Sequence, residues 1–253
     1  MGQSGSGGTD SGGAAGGGGS GGSGGGIAHT GVWRIMALGD SITQSTCYPQ
    51  LLSKKLEDAG HTNFELIGSS TNNQSCSGAP NVQTEGHGGY ILTCLTGDAG
   101  STNCNGKGMP SELTTWLAAR PAPDVALILF GTNDVWNNIP VSSILAGYTD
   151  LVTGLRDANP NVVIFLGRIL PMFPDSSCCN DRVIELNASL VGWATLGTEA
   201  SPIYIVPIYE SVGDPNGFKA KTNNMDGVHP NEMAAGQMAD AWMAALVPHG
   251  IGD

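Results

Sequence analysis

An α/β fold, a parallel sheet with helices on both faces, is what this sequence predicts, and three observations carry the expectation. Short apolar runs alternate along the chain with stretches of helical periodicity. Two of the runs, Val125-Ala126-Leu127-Ile128-Leu129-Phe130 and Val162-Val163-Ile164-Phe165-Leu166, are continuously apolar, as strands covered on both faces are. About 225 residues remain outside a Gly-rich leader, which suits one such domain.

The leader, residues 1–26, has fifteen glycines among its twenty-six residues and almost no apolar surface to bury, so a flexible linker is expected. It lacks the apolar core of a signal peptide, and a mature or recombinant form with Met1 added is expected. The folded region, 27–253, opens with the apolar run Val32-Trp33-Arg34-Ile35-Met36-Ala37-Leu38, a first strand, followed by Gly39-Asp40-Ser41. Tyr48, Leu51, Leu52 and Leu56 recur at helical spacing, and Gly60 can end that helix. Phe64-Glu65-Leu66-Ile67 reads as a second strand. Residues 69–109 read as a long irregular loop, rich in Gly, Asn, Ser and Thr, and loops of that length inside a domain are usually functional. A helix is expected from Pro110 past Trp116, then the buried run ending at Phe130 as a third strand. Ile144, Leu145, Tyr148, Leu151, Val152 and Leu155 mark an amphipathic helix, and Val162 to Leu166 the fourth strand. A helix after Asp181 carries Val183, Leu186 and Leu190; Ile203-Tyr204-Ile205-Val206 is the fifth strand. Met238, Ala241, Trp242, Ala245 and Leu246 form the stripe of a final helix.

Net charge −12 argues against nucleic acid and anionic membrane as partners, and no apolar run approaches a membrane span. The six cysteines have neither C-x-x-C nor zinc spacing, and their even number in loop-like surroundings predicts disulfides and hence secretion. Cys47–Cys76 and Cys94–Cys104 are the favoured pairs. Cys178 and Cys179 either join each other or pair elsewhere. Sequons at Asn73 and Asn187 agree with a secretory route and a glycoprotein. No metal is required by these patterns; clusters of Asp and Asn could hold a structural calcium, but none has EF-hand spacing.

Four blocks at loop positions carry the chemistry: Gly39-Asp40-Ser41; Glu85-Gly86-His87-Gly88-Gly89-Tyr90; Gly131-Thr132-Asn133-Asp134; and Asp226-Gly227-Val228-His229-Pro230. In a parallel sheet the first and third share the carboxyl edge, where open α/β sheets place their ligands. Acyl transfer needs a nucleophile, a base, a group that orients the base, and donors for the oxyanion. Ser41 can be the nucleophile, His229 the base and Asp226 the orienting carboxylate, with the N–H groups of Ser41 and Gly89 and the amide of Asn133 as oxyanion donors. Each block alone has a bland reading as a turn or helix cap. All four in this order are hard to explain structurally. Tyr90 and Trp136 flank the donors as an acyl-pocket wall, a sugar platform or ordinary packing, and His87 reads as an exposed loop histidine, with contact to substrate as its alternative. A Gly-x-Ser-x-Gly at Gly18 to Gly22 lies in the linker with no strand before it, so its Ser20 lacks the context of a nucleophile elbow.

The blocks GDSIT, GTND and DGVHP resemble those of the SGNH, or GDSL, hydrolases, and the second block matches through Gly89, with Gly88 where relatives often have Ser. The resemblance implies a flavodoxin-like three-layer α/β/α sandwich, Ser41, Asp226 and His229 as triad, and Gly89 and Asn133 as oxyanion donors. ALGDSITQSTCYPQLL, EGHGGY and GTNDVW look most like fungal carbohydrate esterase family 3, whose members deacetylate acetylated xylan. That implies an esterase of acetylated plant polysaccharide, its leader resembling the tether of a cellulose-binding module; a secreted monomer without a cofactor is expected. A lysophospholipase or general short-chain esterase of the same family is the second reading, and a non-catalytic polysaccharide-binding module the third.

Overall fold

The computed structural model describes residues 1–2, 26–72, 74–98, 104, 108, 110–118, 121–175 and 178–253. Residues 3–25 of the expected linker and the Asn73 sequon lie outside the described residues.

The strands are β1 (Trp33–Gly39), β2 (Phe64–Ile67), β3 (Ser70–Asn72), β4 (Val82–Gly86), β5 (Val125–Leu129), β6 (Val163–Gly167) and β7 (Ile203–Val206). The five expected from apolar runs are all parallel, in the spatial order β2-β1-β5-β6-β7. That is the doubly wound flavodoxin-like order, and its switch point falls between β1 and β5. Every residue of β5 and β6 is buried, which explains their unbroken apolar sequence.

The helices are α1 (Ser41–Ser45), α2 (Tyr48–Asp58), α3 (Leu92–Thr96), α4 (Pro110–Ala118), α5 (Thr132–Trp136), α6 (Val141–Ala158), α7 (Asn180–Trp193), α8 (Ile208–Ser211), α9 (Pro215–Lys219) and α10 (Glu232–Leu246). One layer packs α2 against α10, with Tyr48 stacked on Trp242 at 6.4 Å, both rings fully buried. The other layer packs α3, α4 and α7 against α6, whose Ile144, Tyr148, Leu151, Val152 and Leu155 are buried as its periodicity predicts. The result is a three-layer α/β/α sandwich.

The structure corrects the sequence reading in three places. Residues 69–109 are not one irregular loop: they hold β3, β4 and α3. β3 pairs antiparallel with β4, and β4 extends the parallel edge of β1 through Leu38↔Glu85 and Gly39↔Gly86. These strands escaped an apolar criterion because their buried positions are polar: Asn72, Thr84 and Glu85 are at most 1% exposed. Glu85 is satisfied by the Ser69 N–H at 2.8 Å and His87 Nε2 at 2.7 Å, and Asn72 Nδ2 donates to the carbonyls of Thr43 (3.1 Å) and Thr46 (2.8 Å) at the end of α1. Second, His87 is not an exposed loop histidine. It bonds buried Glu85 and stacks on Trp116 at 3.9 Å with ring planes 3° apart. Third, the Asn187 sequon is a poor glycan acceptor in the folded chain. Its side chain is buried, with Nδ2 donating to Ile169 O and Oδ1 accepting from Ile169 N–H, both at 2.9 Å.

Cysteine pairing follows the expectation for four of the six: Cys47–Cys76 and Cys94–Cys104, with Cα separations of 5.6 and 5.8 Å. Of the two options for the rest, the structure joins Cys178 to Cys179. Among the described residues no helix is long and apolar enough to cross a membrane.

Candidate active site

Ser41 sits where β1 gives way to α1, at the carboxyl edge of the sheet. A short helix the sequence reading did not mark, α1, begins on the serine itself, ahead of the expected helix at Tyr48. Asp40 is its N-cap, the carboxylate Oδ1 accepting the Ile42 N–H at 2.9 Å. Gly39 is required there because a Cβ would lie 2.6 Å from Leu129 O on β5. Thr43 Oγ1 and Tyr48 hydroxyl, 2.8 Å apart, tie α1 to α2. Asp40 is fully buried, and burial pushes its carboxyl up to about 7 against the lowering effect of the Ile42 N–H and of His229.

The fourth block arrives from the opposite end of the chain. Ser41 Oγ lies 2.8 Å from His229 Nε2, and His229 Nδ1 lies 2.7 Å from Asp226 Oδ2. The other carboxylate oxygen, Oδ1, accepts the N–H groups of Val228 at 2.9 Å and His229 at 2.8 Å, so the acid that orients the ring also shapes the loop that carries it. Burial raises the Asp226 pKa, but these N–H groups and the imidazole outweigh it and hold the carboxyl below its ordinary range. Gly227 makes the turn possible: its φ is +93°, and the Phe173 backbone packs where a side chain would go. The Phe173 N–H donates to Gly227 O at 2.7 Å, fastening the loop to the segment after β6.

The three groups expected to receive an oxyanion, the Ser41 and Gly89 N–H groups and the Asn133 amide, come from three elements. β4 ends beside β1, and the His87 N–H donates to Gly39 O at 2.8 Å, so the second block leaves the sheet next to the serine turn. Gly88 N–H donates to Gln44 Oε1 at 2.8 Å, which holds that loop to α1. Among the described residues the N–H groups of Ser41 and Gly89 have no protein acceptor. Asn133, one residue into α5, donates one amide hydrogen to Tyr90 O at 2.9 Å and keeps the second. Next to it, fully buried Asp134 accepts the Leu92 N–H, the Thr93 N–H and the Thr93 hydroxyl, each at 2.9 Å, and so binds α5 to the start of α3.

Sequence reasoning thus named Ser41, His229 and Asp226, which the structure links by hydrogen bonds, and missed the residues that brace this region: Gln44, Asn72, Glu85 and Asp134. Glu85 and Asp134 were in quoted blocks, but nothing in the sequence marks their burial. Tyr90 belongs to the brace. Its hydroxyl donates to Glu112 at 2.7 Å, and its ring lies 5.0 Å from His87 and 5.9 Å from Trp116. Trp136 stays 47% exposed and lines a neighbouring cavity of about 470 Å³. Among the described residues no group of three or more His, Cys, Asp or Glu could hold a metal ion.

This arrangement can run acyl transfer. An imidazole fixed by a carboxylate can take the Ser41 proton, and the Ser41 and Gly89 N–H groups, without protein acceptors among the described residues, can donate to an oxyanion. The sequence model of the GDSL-like lipase/acylhydrolase family matches residues 37–235, which contain all four blocks. The chain belongs to that family. Like other GDSL proteins with this SGNH fold, it is a carboxylic ester hydrolase. Among solved structures it is similar to a carbohydrate esterase family 3 protein from Talaromyces cellulolyticus, at 26% identity and a TM-score of 0.71, over 85% of this chain and 97% of that one. An acetyl esterase mutant solved with acetate ion aligns over the same shares at 25% identity and a TM-score of 0.71. A Clostridium thermocellum family 3 carbohydrate esterase shares the fold at 22% identity and a TM-score of 0.66, over 88% of this chain and all of that one. No curated protein sequence matches the chain.

Asn133→Ala is expected to lower kcat by about 10²–10³, the loss seen when one oxyanion donor is removed elsewhere. KM should change little, because the donor acts on charge that develops in the transition state. The cost to stability is about 1 kcal/mol for the lost bond to Tyr90 O. Steady-state kinetics with a melting curve checks both; a fall in KM-controlled binding at constant kcat would assign Asn133 to substrate capture instead.

Proposed function

We propose that this chain is a secreted serine esterase that removes acetyl groups from acetylated xylan or a related plant cell-wall polysaccharide. One observation carries the esterase chemistry: the Ser41–His229–Asp226 relay, with links of 2.8 and 2.7 Å. Ser41 attacks the ester carbonyl while His229 takes its proton, and Asp226 holds the ring and stabilises the imidazolium. The Ser41 and Gly89 N–H groups and the Asn133 amide receive the oxyanion. His229 then protonates the departing sugar oxygen, releasing the free hydroxyl, and water repeats the sequence on the acetyl-enzyme.

Likeness to a carbohydrate esterase and to an acetyl esterase solved with acetate supports the acetyl preference. Three cysteine pairs support an oxidising, extracellular setting. We expect a monomer, with the Gly-rich leader acting as a tether to a cellulose-binding module, and neither nucleic acid nor membrane as partner.

Initial rates on acetylxylan, set against nitrophenyl esters of increasing acyl length, test the reading. Acetate release from the polysaccharide and a steep fall beyond short acyl chains are expected. Preference for long acyl chains, with no release from acetylxylan, would favour the lysophospholipase reading.

A further inference from the structure

The cavity beside the site is larger than an acetyl group needs. Its volume is about 470 Å³, within the range of small-ligand sites, and Trp136, Phe173, Cys178, Cys179, Arg182 and Lys219 line it. Its position relates it to the ester. Trp136 lies one helical turn beyond Asn133 on α5, and Phe173 is bonded to Gly227, between Asp226 and His229. The cavity is therefore bounded by the element that would hold the oxyanion and by the segment that braces the base. An acetyl group does not need this room, which leaves the sugar portion of the ester as its occupant.

The lining has two characters. Trp136, Phe173 and the joined cysteines offer flat apolar surface of the kind a pyranose face stacks on. Opposite in character are two cations, in a chain that has only 10 Lys and Arg against 22 Asp and Glu. Arg182 is fixed, its guanidinium donating to Val135 O and, at 2.9 Å, to Ile139 O. Lys219, the last residue of α9, is exposed and has no ion-pair partner among the described residues. Asp181 is the one carboxylate in the lining and Glu185, just outside it, faces Arg182, so Lys219 is the lining cation left for a ligand. Hydroxyl groups alone do not call for such a charge in an acidic chain; a carboxylate does.

We propose that this cavity is a subsite for a sugar that carries a carboxylate, a uronic acid residue neighbouring the acetylated one, with Lys219 pairing the carboxylate and Trp136 and Phe173 receiving the ring. The proposal rests on the polysaccharide reading above and narrows it to acidic, uronate-branched glycans.

The test compares acetylated xylo-oligosaccharides with and without one uronic acid branch, on the parent, Lys219→Gln and Lys219→Arg proteins. The parent should prefer the branched substrate. Lys219→Gln should lower the branched-to-neutral ratio of kcat/KM about tenfold, mostly through KM, and Lys219→Arg should restore most of it. Equal losses on both substrates, or an unchanged ratio, would overturn the uronate subsite while leaving the acetyl-polysaccharide reading intact. Hydrolysis of nitrophenyl acetate but of neither oligosaccharide would overturn both.

Discussion

Ser41→Ala is expected to lower kcat by about 10⁶, the size of loss found when the serine of such a relay is removed from a hydrolase. The fold should be unaffected. Among the described residues the Ser41 hydroxyl bonds only His229, and the cap that starts α1 belongs to Asp40 and the Ile42 N–H. The melting temperature should stay within a degree or so of the parent, as for most surface substitutions free of packing. An active-site fluorophosphonate should label the parent at Ser41 and leave the alanine variant unlabelled. If the variant releases acetate at the parent rate, the nucleophile lies elsewhere and the four blocks are structural.

Asp226→Asn should lower kcat by about 10⁴ while preserving the loop. The asparagine oxygen can still accept the Val228 and His229 N–H groups that Oδ1 accepts now. The other position becomes an N–H₂ donor facing Nδ1, which then has to accept. The ring is forced into the tautomer with its hydrogen on Nε2, pointed at a hydroxyl whose proton it should be receiving. The parent and variant should also differ in acid. The Asp226 pKa is depressed in the folded chain, so its contribution to stability is present above the ordinary carboxylate value of about 4 and is lost as pH falls through the lower folded value. The difference in melting temperature between the two proteins should therefore shrink below about pH 4. A difference that holds constant to strong acid would mean that the carboxylate is not what His229 stabilises.

How much of this was legible in the sequence follows from what each residue is asked to do. Val125 to Phe130 announces a strand because a strand buried on both faces can be apolar throughout. Trp242 and Tyr48 announce a helix pair because burial repeats at helical spacing. The relay was legible because its residue types are chemically constrained: a base needs an imidazole, and a carboxylate three residues before it can reach its Nδ1. The braces were not. Glu85 and Asn72 are buried polar residues whose hydrogen bonds run to distant backbone, and polarity in sequence reads as exposure. The loop of 69–109 was misread for that reason, and His87 with it. Asn187 shows the converse: a sequon is a string of three residues, and the string does not say that the amide is buried against Ile169.

One edge of β1 is shared by two strands, β2 along Trp33 to Met36 and β4 at Leu38 and Gly39. The nucleophile's turn and the Gly89 loop therefore depart from matched rungs of one ladder, and the sheet itself serves as the ruler between them. Nothing of that kind spans from Ser41 to His229. The base sits on a loop closed on itself by the Asn224–Pro230 bridge and fastened to the segment after β6 through Phe173. The nucleophile and the loop of the expected oxyanion donor Gly89 are thus built into the chassis, and the base is bolted on. As the molecule breathes, the proton acceptor should detach while the chassis keeps its shape, so transient loss of reactivity need not mean loss of the surface that recognises the ester.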